Sequence, residues 1–497
     1  MSIELVLPVL VPLTVAILSV FLRRWERIAH SLALVGAICH LAAALVLFLT
    51  VLDQKIVVLW VGGWPAPFGI CLVGDYLSSV MVLITGVIHC AVTVYSRRDI
   101  DSEMVRTGFH PLLCMLTAAI CGAFLTGDLF NLYVWFEVML MASFGLLVMG
   151  HRPCQLTGAV KYVTINLIST LFFITAIALI YGLTGTLNMA DLHGKIALVE
   201  NTALLTGAAM LLLSAFAIKA ALFPLFFWLP ASYHTLPVSV SAYFSGMLTK
   251  VGIYALIRLF TLVFVTRVDI THTTLMAVAA LTMLFGVIGA ASQVEVRRIL
   301  SFHIISQVGY MALGLAILTP LALAGAIVYL IHHIIVKANL FLVSGLIREV
   351  GGTLHLPRIG GMYRYGLLSV VFLVPAFALA GFPPLSGFWA KLLIIMAALQ
   401  EEHYGLALLS AVVGLLTVFS MIKIWAEVFW KPEPDTEGAP VSGKRLSWWM
   451  LSPVVALAAA TVLMGIFMEP VIQFALFAAE QLLHQQEYVS AVLGGGL

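Results

Sequence analysis

The sequence predicts an all-α polytopic membrane protein of about fourteen transmembrane helices, each measured against a span of about 20 residues. Its 497 residues are 62% hydrophobic and 10% charged, against roughly 25% charged in a soluble domain. Apolar runs long enough to cross a bilayer follow one another along the chain, and the basic residues collect in alternate loops. A formal net charge of +2 with no polybasic block excludes a nucleic-acid partner and leaves the lipid bilayer as the surroundings. Cysteines 39, 71, 90, 114, 121 and 154 form no C-x-x-C pair. They read as small core residues, not as metal ligands or a disulfide framework.

In chain order, the first run, Ile3 to Leu22, lacks a basic leader and an A-x-A site and precedes Arg23, Arg24 and Arg27, so it reads as a span and not a signal peptide. The predicted helical cores are 3–22, 29–51, 75–95, 109–126, 128–149, 161–183, 203–230, 237–262, 271–291, 299–318, 321–346, 366–400, 404–427 and 449–469. The 203–230 run contains Pro224, and the 366–400 run contains Gly381, Pro383 and Pro384. Proline removes a donor and clashes with the preceding turn, so both read as broken helices. Residues 54 to 73 hold two β-prone runs about Gly-Gly-Trp-Pro and predict a small hairpin. The stretch 431–445 reads as a polar, mobile connector, and the tail after Pro470 as a short interfacial helix.

Orientation follows from the loops. Arg23, Arg24, Arg27, Arg97, Arg98, Arg106, Arg152, Arg297, Arg298, Arg348, Arg358, Arg364, Lys431, Lys444 and Arg445 follow odd-numbered helices, whereas Lys55, Lys195, Arg258 and Arg267 fall on the other side. The positive-inside rule then places both termini outside.

The functional signal is a set of ionisable groups inside the spans. Glu137, Lys219, Lys250, His332, His333, Lys337 and Lys391 all sit within apolar runs, and His333 and Lys337, four apart, share a helix face. Left unpaired and dry they would cost on the order of 10 kcal/mol together, so they should face a bundle interior or a wet path. Carboxylate, amine and imidazole all exchange protons, which makes the row a candidate relay with Glu137 and Lys219 as a charge-coupled switch. Lys161 and Lys423, nearer helix ends, read as lysines reaching for the interface. Asp75 and Asp128 stand at helix starts, where capping is the expected role. No dinucleotide, Walker, haem or iron–sulfur motif is present, so no cofactor and no enzymatic chemistry is expected.

The segments GDLFNLYVWFEVML, Lys219 to Pro230, SFHIISQVGYMALG and GFPPLSGFWAK resemble the antiporter-like proton-channel family shared by respiratory complex I, membrane hydrogenases and the Mrp multisubunit cation/proton antiporters. The forms VGGWPAPFGI and GDLFNLYVWFEV resemble most the D-type subunits of the Mrp branch. The resemblance implies two inverted five-helix repeats, each with a broken helix. The chain then divides into 1–107, 108–262 (first repeat), 263–427 (second repeat) and 428–497. It aligns Phe223, Pro224 and Trp228 with Phe382, Pro383 and Trp389. It makes Glu137, Lys219, Lys250, His332, His333, Lys337 and Lys391 the proton relay. It also implies partner subunits of a hetero-oligomeric complex, protons and a monovalent cation, Na+ above all, as the transported ions, and a bacterial cytoplasmic membrane. A proton-pumping subunit of complex I or a membrane hydrogenase is the alternative that the same residues allow.

Overall fold

The computed structural model describes residues 2–265, 268–433 and 446–494. The chain runs through α1 (Ile3–Leu22), α2 (Glu26–Gln54), β1 (Val57–Trp60), β2 (Cys71–Gly74), α3 (Tyr76–Asp99), α4 (Ser102–Thr107), α5 (Phe109–Leu125), α6 (Leu129–Val148) and α7 (Pro153–Thr184). It continues through α8 (Met189–Ile196), α9 (Thr202–Ala220), α10 (Trp228–Ser232), α11 (Val238–Leu262), α12 (Val268–Ser292), α13 (Val296–Ile317) and α14 (Pro320–Gly351). It ends with α15 (Gly366–Ala380), α16 (Ser386–Gln400), α17 (Tyr404–Trp425), α18 (Trp448–Ile466), α19 (Met468–Leu483) and α20 (Gln485–Leu493).

Among the described residues, 12 helices are long and apolar enough to cross a membrane. The other predicted spans fall on α5 and on the pair α15 and α16, which are apolar but shorter. Every residue of α11 is buried, and α13 and α14 are nearly as enclosed, so these three form the spine of the bundle. A helix apolar all round belongs in such a place. The outer helices α1, α2, α7, α12 and α17 bury only a minor share of their apolar windows and present the rest outward.

Both predicted breaks occur, and they are built alike. Helix α9 stops at Ala221, whose φ is +60°. Ala221 N donates to Ile218 O (3.1 Å) and Leu222 N to Ala217 O (2.9 Å). Helix α15 stops at Gly381, φ +94°, with Gly381 N on Ala378 O (3.1 Å) and Phe382 N on Phe377 O (3.1 Å). This is the glycine-type C-terminal cap, in which a left-handed residue lets its own amide and the next one fold back onto freed carbonyls. Glycine adopts that conformation freely, whereas Ala221 is strained by roughly 1–2 kcal/mol. The caps correct the residue correspondence. Ala221 matches Gly381, so Leu222 matches Phe382 and Pro224 matches Pro384, one position later than the sequence motifs suggest. Leu225 N to Leu222 O and Leu385 N to Phe382 O, both 2.9 Å, confirm the register.

The predicted hairpin is an antiparallel pair, Val57 opposite Gly74 through Trp60 opposite Cys71. Ser2 Oγ donates to Val58 O (3.3 Å) and Trp60 Nε1 to Val492 O (3.2 Å), so both ends of the described chain meet at the hairpin. The tail differs from a lone interfacial helix. Ala475, Ala478, Ala479 and Leu482 of α19 are buried, and Gln481 accepts from Tyr76 N (3.1 Å) and donates to Lys55 O (3.3 Å), because small residues on one face let α19 pack closely against α14, α11 and α3. Asp128 caps α6 through Asn131 N (2.8 Å), as expected.

Asp75 does more than cap α3: besides accepting from Ser78 N (2.9 Å), it pairs with Arg258 at 2.6 Å, both side chains buried. Arg258, which the charge pattern groups with the loops, lies inside α11. Arg267, and positions 434–445 of the predicted connector, lie outside the described residues. Cys71, Cys114 and Cys121 are buried and Cys90 is half-buried, but Cys39 and Cys154 are exposed, being on outward faces of α2 and of the start of α7.

Candidate functional site

The breaks decide where the amines go. A helix that stops in the membrane leaves carbonyls without intrahelical partners, and these must be satisfied by protein groups. At the second break, Lys391, in the second turn of α16, turns back and donates from Nζ to Leu379 O and Ala380 O, both at 2.9 Å. An ammonium on the last carbonyls of a helix is favoured by hydrogen bonding and by the negative end of the helix dipole. At the first break the carbonyl of Ile218, which also closes the cap with Ala221 N, accepts from the indole of Trp228 (3.1 Å). Lys219 sits one residue later, buried, with its Nζ 5.7 Å from the centre of the Phe136 ring. It borders a small cavity of about 10 Å³ beside Tyr162, Asn166 and Trp228, little more than room for one water molecule. Lys391 has a matching aromatic neighbour, the Tyr310 ring at 5.5 Å. Cation–π attraction of this kind is worth more in a desolvated setting.

Between the breaks, fully buried Lys250 of α11 donates to the Ser245 carbonyl and fully buried Lys337 of α14 donates to Leu300 O (3.1 Å). His332 Nδ1 meets Ser386 Oγ at 2.8 Å. His332 Nε2 and both ring nitrogens of His333 are buried without a partner. Lys250, Lys337 and His332 all lie within electrostatic reach of His333, and Lys391 and Lys337 within reach of His332. The structure thus brings Lys250, His332, His333, Lys337 and Lys391 into one group on α11, α14 and α16. Lys219 stands apart at the first break, close to the same spine. A Cβ on Gly252 of α11 would come within 2.7 Å of Ala220 N, and this close approach seats α9 directly against the helix that carries Lys250.

Glu137 and Lys219 are held apart. Glu137 accepts a 2.6 Å hydrogen bond from Thr170 of α7 and, among the described residues, makes no ion pair within 4.0 Å, although Lys219 feels its charge. Glu137 is half-buried, with Phe130, Val134 and Met141 exposed on the same helix. Lys161 is exposed, as expected, but Lys423 does not reach for the interface. Its Nζ donates to Ala291 O (3.0 Å) and Gln293 O (2.8 Å), clamping α17 onto the C-terminal end of α12.

Some polar partners of the site were not read from the sequence. His303 of α13 is fully buried with both ring nitrogens unpartnered, and it lies within reach of Lys337 and Lys391. It stands in the SFHIISQVGYMALG segment, where a histidine in an apolar run was the available signal. Tyr310 and Tyr329 stack at 5.2 Å, and the Tyr329 hydroxyl donates to Gln307 Oε1, so a polar cluster surrounds the Lys391 amine. Gly387 marks how tightly the second break closes over it: a Cβ there would sit 1.9 Å from Ala378 O and 2.8 Å from the His332 ring.

A family described as NADH:quinone oxidoreductase/Mrp antiporter, transmembrane, matches residues 126–417, more than half of the chain and the whole stretch from Glu137 to Lys391. The chain belongs to this family. A D-type Na(+)/H(+) antiporter subunit from Alkalihalophilus pseudofirmus is 45% identical over 494 residues, covering 98% of this chain and 99% of the relative. Among solved structures, a chain of the Mrp complex from Dietzia sp. DQ12-45-1b superposes with a TM-score of 0.92 at 33% identity, over 99% of this chain and 100% of that one. A chain of respiratory complex I from Thermus thermophilus superposes with a TM-score of 0.82 at 24% identity, over 97% and 99%, a likeness of fold. The family match spans both breaks and every member of the buried row.

Lys391→Ala removes the amine that satisfies two carbonyls of the second break and is expected to abolish cation-dependent proton exchange in an assembled complex. Lys423→Ala is expected to lower thermal stability by about 1–3 kcal/mol through loss of charged hydrogen bonds and to leave exchange near wild type. Dye-monitored exchange in everted vesicles, with melting followed separately, checks both. Equal loss of exchange in the two variants would make both lysines structural charges.

Proposed function

We propose that this chain is the proton-translocating subunit of a multisubunit monovalent cation/proton antiporter, exchanging Na+ outward for protons inward across a bacterial cytoplasmic membrane. The proposed relay is Glu137, Lys219, Lys250, His332, His333, Lys337 and Lys391, extended here by His303. The observation that carries this reading is the arrangement of four buried lysines with one half-buried carboxylate. A purely structural set of charges would be paired one to one, because an unpaired buried charge is costly. Here backbone carbonyls, aromatic faces and imidazoles with open nitrogens take the place of counter-ions, and such groups let a proton be held and released.

In this reading the chain has fourteen membrane helices, with residues 108–262 and 263–427 as two inverted repeats. The matched caps of the two breaks support that division. The chain acts through proton transfer and not through enzyme chemistry. It works inside a hetero-oligomer. A carboxylate at membrane depth is expensive against lipid, so half-buried Glu137 and the apolar face around it favour cover by a partner subunit. The whole-length identity to an antiporter subunit favours the antiporter reading over a proton pump driven by a redox complex.

Both termini are proposed to face outside, with the arginine-rich loops in the cytoplasm. A reporter fused after Leu497 should be active only when exported, and one inserted in the 434–445 stretch only in the cytoplasm. The reverse pattern would overturn the orientation.

Glu137→Gln keeps the volume and an acceptor for Thr170 but removes the charge that Lys219 feels. Moving one charge against a potential of about 100 mV is worth about 2.3 kcal/mol, so a change of that size in the Glu137–Lys219 interaction is enough to stop vectorial transfer. Exchange is therefore expected to disappear in Glu137→Gln and to survive in part in Glu137→Asp, measured as cation-induced pH change in everted vesicles with assembly checked on native gels. Wild-type exchange by an assembled Glu137→Gln complex would contradict the relay.

A further inference from the structure

Four histidines on the N-terminal helices play no part in the row described above, and the fold gathers them. His30 and His40 lie on α2, His89 on α3 and His110 on α5, and all four are buried. His110 Nε2 meets His30 Nδ1 at 3.1 Å, and His89 Nδ1 meets His40 Nδ1 at 3.3 Å. His40 Nε2 contacts Cys121 Sγ at 3.3 Å and His89 Nε2 faces Cys114 Sγ at 3.9 Å. On α5 the residues His110, Cys114, Thr117 and Cys121 fall at spacings of four, three and four, one helical face, covering about 16 Å of rise. Thr117 Oγ1 shares a 2.7 Å hydrogen bond with the Tyr243 hydroxyl of α11. The ring of His89 stands edge-on to that of Tyr243, centroids 6.5 Å apart.

These contacts form a line. At one end, His30 lies one turn from Glu26, at the arginine-bearing end of the bundle, within reach of Glu26 and Arg97. At the other, Tyr243 lies two residues before Ser245, whose carbonyl accepts from Lys250, and seven residues before Lys250 itself, on the same helix face. Core packing alone asks for none of this, since four buried imidazoles in contact with one another and with thiols are poor substitutes for leucine. The Nδ1 of His110 is buried and has no partner. The one interval of the histidine series without a direct contact lies between His110 and His89, which are within electrostatic reach of each other, with Cys114 one turn along from His110.

We propose that His30, His110, His89 and Tyr243 form a proton passage joining the Glu26 and Arg97 end of the bundle to the buried row at Lys250, with the His40–Cys121 contact holding His89 in place. His110 and His30 each accept a proton on one ring nitrogen and give up the proton of the other, so one proton advances and the ring ends neutral, while His89, whose Nδ1 is engaged by His40, takes up the proton at Nε2 and releases it from the same nitrogen. Single water molecules complete the steps from His110 to His89 and from His89 to Tyr243, where polar groups on both sides can bind them. With the arginine-rich end in the cytoplasm and protons moving inward, the passage delivers protons to the cytoplasm. This inference rests on the proton-translocating reading of the row.

The test uses the assembled complex in everted vesicles and reads Na+-induced proton movement. His30→Ala and His110→Ala are expected to slow exchange by about a hundredfold, the lower range of what a positioned proton carrier contributes. Added imidazole should restore much of the rate, a recovery that lost packing would not show. His89→Gln should slow exchange to a similar degree with the complex intact. If His110→Ala fails to assemble, His30→Ala, closest to the surface, decides. Wild-type rates in His30→Ala and His89→Gln, or a His30→Ala loss that imidazole does not relieve, would overturn the passage. Lys391→Ala separates the two levels. If it blocks exchange while the histidine variants run at the wild-type rate, only the passage fails. If Lys391→Ala itself exchanges normally, the proton reading of the row fails.

Discussion

Everything in this structure answers to the cost of holding lysines in hydrocarbon. Each such ammonium costs roughly 2.5–3.5 kcal/mol on insertion scales unless something solvates it, and among the described residues Lys219, Lys250, Lys337 and Lys391 have no acid in contact. The answer is to interrupt helices. At the second break the cap at Gly381 frees two carbonyls, and Lys391 takes both. Elsewhere unbroken helices lend a carbonyl, Ser245 to Lys250 and Leu300 to Lys337. Carbonyls solvate an amine without fixing its charge as a carboxylate would, which is the property the proposed relay requires.

The two breaks share a cap and differ in who uses the freed carbonyls. At the first, Trp228 takes the Ile218 carbonyl, and Lys219 is left beside a cavity and a phenyl face, within the field of Glu137. At the second, the lysine lies beyond the break and is held by it. The first end of the row is therefore responsive to a charge outside the interior, and the second is anchored. Half-buried Glu137, hydrogen-bonded to Thr170 at the rim of the bundle, sits where a neighbouring subunit can act on it.

The helices and breaks were legible because a bilayer leaves few options: a backbone in hydrocarbon must be helical, and proline or glycine in a long apolar run must interrupt it. The buried charges were legible for the same reason, since Lys219 or Lys391 in an apolar run has no inexpensive explanation. What failed to show was pairing across helices. Arg258 looked like a loop residue because its partner Asp75 is far away in the chain, and Lys423 looked like a surface lysine because the carbonyls it clamps belong to α12 and the turn after it. Histidines were hardest. Neutral imidazole carries little penalty and leaves no compositional mark, so the four N-terminal histidines acquire meaning only when the fold brings their nitrogens together, and His303 only when it is placed within reach of Lys337 and Lys391. The break correspondence slipped by one residue because matching Phe-Pro against Phe-Pro ignores which backbone amides close the cap.

The central claim is that the separated lysines act as one row, and Lys250 is where it is most exposed to test. This residue stands between the isolated Lys219 and the cluster around His333, and its amine is held by a single carbonyl. Lys250→Gln preserves a donor for Ser245 O while removing the exchangeable charge. In proteoliposomes containing the assembled complex, an imposed Na+ gradient should drive no proton movement through Lys250→Gln above the empty-vesicle leak. Proton movement at the wild-type rate would show that the two ends do not communicate through the buried lysines.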